Sequence, residues 1–476
     1  MTSFKQSLNL LDATSIVVGS MIGSGIFIVS KDVAAALGSP GWMLVVWGLA
    51  GVMTFLSALC FGELAGIMPK VGGQYVYLRE AYNPLMGFLY GWTLFSVINT
   101  GSIAAVAMAF AKYSGVIFPW ISDSNVLFDL GFTRITTVNI IAIASIVFLT
   151  WVNTRGIEEG KTVQNIFTFL KVFILIVFIG AGLFLSVHSE ATEINNEIFW
   201  NAQNSNGEAL GFTGLLIALG IAMVGPLFAS DAWYNISFTS EEVIKPKKNI
   251  PLSMIIGTFL VMLLYLLTNW VYIRILPLRG SPEGATDFLR GIQHATEDRV
   301  GTAAMTSILG NPAGIIMAIV VIISTFGCNN GMILSGARVY YTMANDKLFF
   351  KNAGRLNSKH VPAVSLTVQG IWSCLLCLSG SYSQLLDYVI FAMLVFNGLT
   401  VFSVFVLRRK NPGEERNYKT FGYPVTPAVF VLLSVALLFI LLVYKPLYTW
   451  PGLAIVLAGI PVYYIWKKVV KDPAAR

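Results

Sequence analysis

Gly19-Ser-Met-Ile-Gly-Ser-Gly-Ile-Phe27 and Val224-Gly-Pro-Leu-Phe-Ala-Ser-Asp-Ala-Trp233 each lie inside a long apolar block, where an ordinary membrane helix would run unbroken. The first puts glycines and a serine at mid-block. The second removes a backbone donor at Pro226 and adds a carboxylate at Asp231. Glycine and proline are both poor in helix interiors. Gly19 and Gly23 also form a GxxxG, so close helix packing would explain the first stretch taken alone. Their pairing argues for more. Interruptions in the first and sixth blocks fall in corresponding spans of two five-helix halves, the pattern of inverted-repeat transporters. No residue-level repeat links the halves, so the inference rests on position.

The blocks around these stretches set the class. Of 476 residues, 56% are hydrophobic and only 12% charged, against about 25% charged in a soluble domain. With a mean hydropathy of +0.72, this composition excludes a large soluble enzyme, a disordered chain and a coiled coil. Twelve blocks long enough to cross a bilayer are expected at 10–36, 41–67, 85–115, 135–152, 163–187, 210–240, 251–274, 312–344, 363–380, 384–407, 424–443 and 447–467. With the amino terminus placed in the cytoplasm, inner tails and loops hold 21 of 31 lysines and arginines and outer loops hold six. That bias places both termini on the cytoplasmic side of a cell membrane. The bilayer is thus the expected surrounding, and the net charge of +7 implies no nucleic-acid partner. The outer segment 188–209 carries four glutamates, and 275–311 is patterned as a small helix pair around Phe288, Ile292 and Val300. No cleavable signal peptide is expected, because the first block begins within a dozen residues and is preceded only by Lys5.

The break dictates the ligand. Unwound backbone leaves amides and carbonyls that hydrocarbon cannot satisfy, so it survives only where it lines a polar cavity. Opened helices offer N–H groups at the start of one half and carbonyls at the end of the other. A free amino acid matches both: its carboxylate to the amides of Ser24, Gly25 and Ile26, its ammonium to carbonyls near Met21, Phe228 and Ala229.

Gly23-Ser-Gly-Ile-Phe27 is similar to the first-helix motif of the amino acid–polyamine–organocation superfamily. The resemblance continues through Glu63-Leu and Pro69-Lys-Val-Gly-Gly-Gln-Tyr-Val-Tyr77, Phe228-Ala to Trp233, Glu241-Glu242 to Asn249-Ile-Pro251, and Gly336-Ala-Arg-Val-Tyr-Tyr341. It resumes in Asn397-Gly-Leu-Thr, Leu407-Arg-Arg-Lys410, Tyr418 and Gly422-Tyr-Pro424. Taken together these most resemble the L-type amino acid transporter branch. The resemblance implies an all-α membrane protein of LeuT type: five plus five inverted helices, discontinuous helices 1 and 6, and two further helices, twelve in all. The core would be 1–407, with repeats at about 10–187 and 210–407, and 408–476 would be appended. It implies alternating access around a mid-membrane site in which Ser24 and Gly25 hold the carboxylate, carbonyls of Met21, Phe228 and Asp231 hold the ammonium, and the Phe228 ring is the outer gate.

Asp231 stands where many members have glycine, and an intramembrane carboxylate is usually functional. Three readings stay open: a cap on the second half of helix 6, a partner for a cationic substrate side chain, or a proton-coupling group. Lys171 lies about 12 Å along its span at 1.5 Å per residue. It either snorkels to the interface or, as the resemblance implies, ties helices 1, 5 and 8 where sodium sits in sodium-coupled relatives, making transport sodium-independent. Glu63 matches a family position or is an interfacial solvated acid. Asn99, Asn329, Asn330 and Asn397 serve helix packing or line the path, and Trp233 and Tyr234 pack on helix 1 or touch substrate.

The expected activity is sodium-independent amino acid transport by exchange, with proton symport or a nontransporting receptor as the alternatives. An enzyme is excluded by dispersed histidines (His188, His294, His360) without a hydrolase or P-loop motif, and no metal or cofactor is called for. Cys60, Cys328, Cys374 and Cys377 fall in apolar stretches, and 116–134 contains no cysteine. The disulfide-linked glycoprotein partner of eukaryotic L-type relatives is therefore not expected, and a monomer is.

Overall fold

The computed structural model describes residues 6–129, 131, 134–185, 190–204, 207–379 and 382–471; His188 lies outside them. The chain is mostly helical because hydrocarbon allows an isolated segment no other way to satisfy its backbone. The principal helices are α1 (Leu10–Met21, resuming as Gly25–Ile28 and Ser30–Leu37), α2 (Pro40–Ile67), α3 (Pro84–Ile117), α4 (Thr137–Asn153), α5 (Ile157–Leu185) and α6 (Phe212–Glu242, interrupted). They continue as α7 (Pro246–Ile275), α8 (Asn311–Asn345), α9 (Ala363–Cys377), α10 (Tyr382–Lys410), α11 (Val425–Tyr444) and α12 (Pro446–Lys471). These fall on the expected blocks. Among the described residues ten helical segments are long and apolar enough to cross a membrane, while α4 and α9, at 17 and 15 residues, are shorter.

Side-chain period sorts each helix into a lipid face and a core face. On α5, Ile166, Phe169, Leu170, Phe173, Ile176 and Val177 are exposed, and Thr168, Lys171, Leu175 and Phe178 are buried. The α1 and α3 segments are buried on nearly every side, whereas Leu432, Val435 and Phe439 of α11 face outward. The loop after α7 forms a cap in which only the second member of the expected pair is a full helix: Asp287–Arg290 is a single turn and Val300–Leu309 has ten residues. Ile292 and Val300 are wholly buried beneath it. A short hairpin, β1 (Val126–Asp129) with β2 (Arg134–Thr136), lies before α4.

Candidate functional site

Both interrupted stretches are broken where the sequence reading puts the breaks. The inner half of α1 ends at Met21, residues 22–24 are non-helical, and helix resumes at Gly25. Val29 N–H donates to Gly25 O and Val33 N–H to Val29 O, so the pieces from Gly25 to Leu37 act as one half-helix. In α6, helix ends at Ala229 and resumes at Trp233 as a tight 3-10 segment. Between them Ala232 takes a left-handed φ of 67°, a conformation a residue with a Cβ adopts rarely.

The two breaks face each other. A Cβ on Gly25 would stand 2.5 Å from Ala229 Cβ and 2.7 Å from its Cα, so only glycine allows this approach; one on Gly23 would meet Cys328 Sγ at 2.9 Å. The GxxxG thus packs closely and frames the break at once. Between the breaks lies a hollow of about 20 Å³, room for one water by volume. Met21, Gly23, Ser24, Gly25, Phe228, Ala229 and Asp231 line it with Ser102 and Val106 of α3 and Cys328 and Met332 of α8. Ile26 stands behind this wall: its side chain is fully buried and its carbonyl accepts from Tyr272 OH at 3.2 Å.

The loose carbonyls of α1 are met from three neighbouring helices. Lys171 Nζ donates to Gly19 O and Ile22 O at 2.8 Å and to Ser324 O at 3.2 Å, using all three protons at 1% exposure. Snorkelling is excluded, since the ammonium points inward. Ser324 Oγ donates to Ile22 O, and Cys328 Sγ to Ser20 O. Tyr265 OH of α7 stands 2.9 Å from Met21 O and 3.1 Å from Ala229 O, one hydroxyl bridging the two breaks. Phe228 O accepts from Asp231 N–H. A carbonyl has two lone pairs, so the Met21 and Ala229 carbonyls that meet the Tyr265 hydroxyl can accept a second donor.

Asp231 is 7% exposed and accepts from Tyr234 OH at 3.3 Å. Its other oxygen, Oδ1, is buried and has no hydrogen-bond partner among the described residues, and the residue lines both the central hollow and a second one behind α6. It does not cap the second half-helix: the cap position falls on Ala232, and no side-chain cap bond forms. Trp233 packs edge-on against Phe61 of α2 at 4.8 Å. Glu63 is 1% exposed, so it is not a solvated acid. It accepts from Arg408 Nε and Nη2 at 2.8 and 2.7 Å and from Thr420 N–H at 2.7 Å, with Arg416 at 3.2 Å. Asn99, Asn330 and Asn397 bond to Gln369, Asn153 and Gln74 across helices.

Tyr265, Ser102, Ser324 and Met332 carry no mark in the sequence. Each is an ordinary residue of an apolar helix until packing turns it toward the breaks. A buried ion pair, Arg338 Nε to Glu242 Oε1 at 2.6 Å with both side chains 1% exposed, was visible only as two motif fragments. All four cysteines are free.

The model of the family described as amino acid permease matches residues 8–464. The b(0,+)-type amino acid transporter 1 of Homo sapiens is 31% identical over 98% of this chain and 88% of its own length. The serine/threonine exchanger SteT of Bacillus subtilis (strain 168) is 29% identical over 98% and 97%. The large neutral amino acids transporter small subunit 2 of Mus musculus is 30% identical over 97% and 81%. These relatives are transporters and not enzymes. Broken helices around a shared hollow and a match along nearly the whole chain lead to one assignment: the protein belongs to the amino acid permease family.

Proposed function

We propose that the protein exchanges L-amino acids across the cell membrane by alternating access, without sodium. Ser24 and Gly25 take the carboxylate; carbonyls of Met21, Phe228 and Ala229 take the ammonium; Phe228 closes the outer side. Ile26 supports this wall through its backbone. One observation carries the reading: two helix breaks open onto one hollow and leave a buried carboxylate oxygen, Asp231 Oδ1, without a partner among the described residues. An unmade bond on a buried ionised group is costly, and a cationic side chain would supply the missing donors. Substrates are therefore neutral amino acids and, through Asp231, cationic ones.

Sodium independence rests on Lys171, whose fixed ammonium joins Gly19, Ile22 and Ser324 as a bound cation would. Glu63 couples the inner ends of α2 and α10 during the cycle. The organisation that goes with this reading is two five-helix halves, 10–187 and 210–407, with 408–476 appended, both termini in the cytoplasm. A chain without an outer-loop cysteine in 116–134 functions without a disulfide-linked partner, as a monomer.

Counterflow into proteoliposomes loaded with alanine tests this. Labelled alanine and lysine should accumulate equally well in sodium and in choline, with no response to an imposed pH gradient. Asp231→Asn should cut lysine counterflow about a hundredfold or more, the scale of a lost buried charge pair, with a far smaller effect on alanine. Loss in choline refutes the role of Lys171, equal loss of both substrates refutes that of Asp231, and binding without counterflow identifies a receptor.

A further inference from the structure

A cavity larger than the central hollow lies near the breaks. This chamber, of about 370 Å³, lies on the cap side of the hollow, between Asp32 and Ala35 of α1, Ile221 and Gly225 of α6, Asp387 of α10, and Lys445 in the turn between α11 and α12. Its floor is the contact of α1 with α6, where Gly225 packs against the Val29 side chain. Immediately below that floor, three residues along α6, stands Phe228. Asp32 is seven residues beyond Gly25, about 10 Å at helical rise.

The charges in this chamber do not cancel. Lys445 Nζ donates to both oxygens of Asp387, at 2.9 and 3.1 Å, and Asp387 is 8% exposed, so that pair is closed on itself. Lys31, next to Asp32 in sequence, is held in an ion pair with Asp298 of the cap, which also faces Lys112 at 3.7 Å. Asp32 makes no hydrogen bond or ion pair among the described residues, and its exposed carboxylate borders the chamber. A recess lined by two carboxylates and a single ammonium, Asp32 and Asp387 against Lys445, focuses its field on cations. A metal ion fits it poorly, because hard cations want six or more oxygens and the Asp387 oxygens already hold an ammonium. An organic monocation fits well: one carboxylate for an ammonium or guanidinium, and alanine and isoleucine walls for its methylene stem.

We propose that this chamber is an anteroom that holds the cationic group of an approaching amino acid at Asp32 before the Phe228 gate admits it. The proposal rests on the transport reading above and adds to it a second, outer binding position. Lysine or arginine would engage Asp32 first and then exchange it for Asp231.

The test uses butylguanidinium, a permanent cation that has no carboxylate for the α1 amides. In proteoliposomes it should inhibit alanine uptake, measured relative to each variant's own uninhibited rate. Asp32→Asn should raise its half-inhibitory concentration about fivefold, the ceiling for one exposed charge pair; Lys445→Met, which removes the competing ammonium, should lower it. Potassium chloride at equal ionic strength should not reproduce the inhibition. In detergent, butylguanidinium should raise the melting temperature of the wild-type protein and not that of Asp32→Asn. This readout needs no transport, so it separates failure of the anteroom from failure of the transport reading. Equal half-inhibitory concentrations in Asp32→Asn and wild type, or inhibition lost in Asp231→Asn instead, overturn the proposal.

Discussion

At the scale of single residues, the site depends on groups that answer unwound backbone. Lys171 satisfies three carbonyls, and leaving a buried acceptor unmade costs about 1–3 kcal/mol. Lys171→Met should therefore lower the melting temperature in detergent and reduce exchange by more than tenfold. A variant that keeps wild-type stability would show that the ammonium is not holding the break together. Gly25 tests the opposite requirement, the lack of a side chain. Gly25→Ala would force a methyl to within 2.7 Å of the Ala229 backbone and should abolish alanine binding in a scintillation proximity assay. Gly48→Ala, whose new Cβ has nothing nearer than Leu266 Cδ2 at 3.9 Å, should bind as wild type does.

Among elements, the breaks were legible in the sequence because glycine, proline and aspartate are conspicuous in an apolar run. Lys171 was legible for the same reason. What answers the breaks was not: Tyr265 and Ser324 sit at positions where any small polar residue of α7 or α8 reads as packing, and only the crossing of three helices aims them at α1. Capping by Asp231 failed as an expectation because the turn spends one more residue than helix propensity suggests, with Ala232 in the left-handed region. The inner strap was equally hidden. Ser7 and Leu8 N–H both donate to Glu242 O and Ile244 N–H returns to Leu8 O, fastening the start of α1 to the end of α6. Glu242 in turn holds Arg338 of α8 in full burial. Removing one partner of such a pair costs about 3–5 kcal/mol. Glu242→Ala should thus melt well below wild type, and the double variant with Arg338→Met should recover part of the loss. A double variant no better than the single would mean that the pair is not the fastening element.

For the whole molecule, the distribution of charge and the placement of its ion pairs bear on the same question, which face meets the cytoplasm. The face with the strap also carries the Glu63 cluster, where Arg408 and Arg416 converge on one carboxylate, and the basic run Arg408-Arg-Lys410. The opposite face carries the cap and the anteroom, with its Asp32. Lysine and arginine are retained on the cytoplasmic side during insertion, so the strap face should be inside and the anteroom should open to the medium. The four native cysteines are suited to a labelling test, since three are buried and Cys374 is half-buried within α9. Glu283→Cys in the cap loop and Glu415→Cys in the loop after α10 both replace exposed side chains. In intact cells a membrane-impermeant maleimide should label the first and spare the second until the membrane is opened with detergent. The reverse pattern would invert the molecule, turn the anteroom into an exit chamber, and make Asp32 the last carboxylate a cationic substrate meets rather than the first.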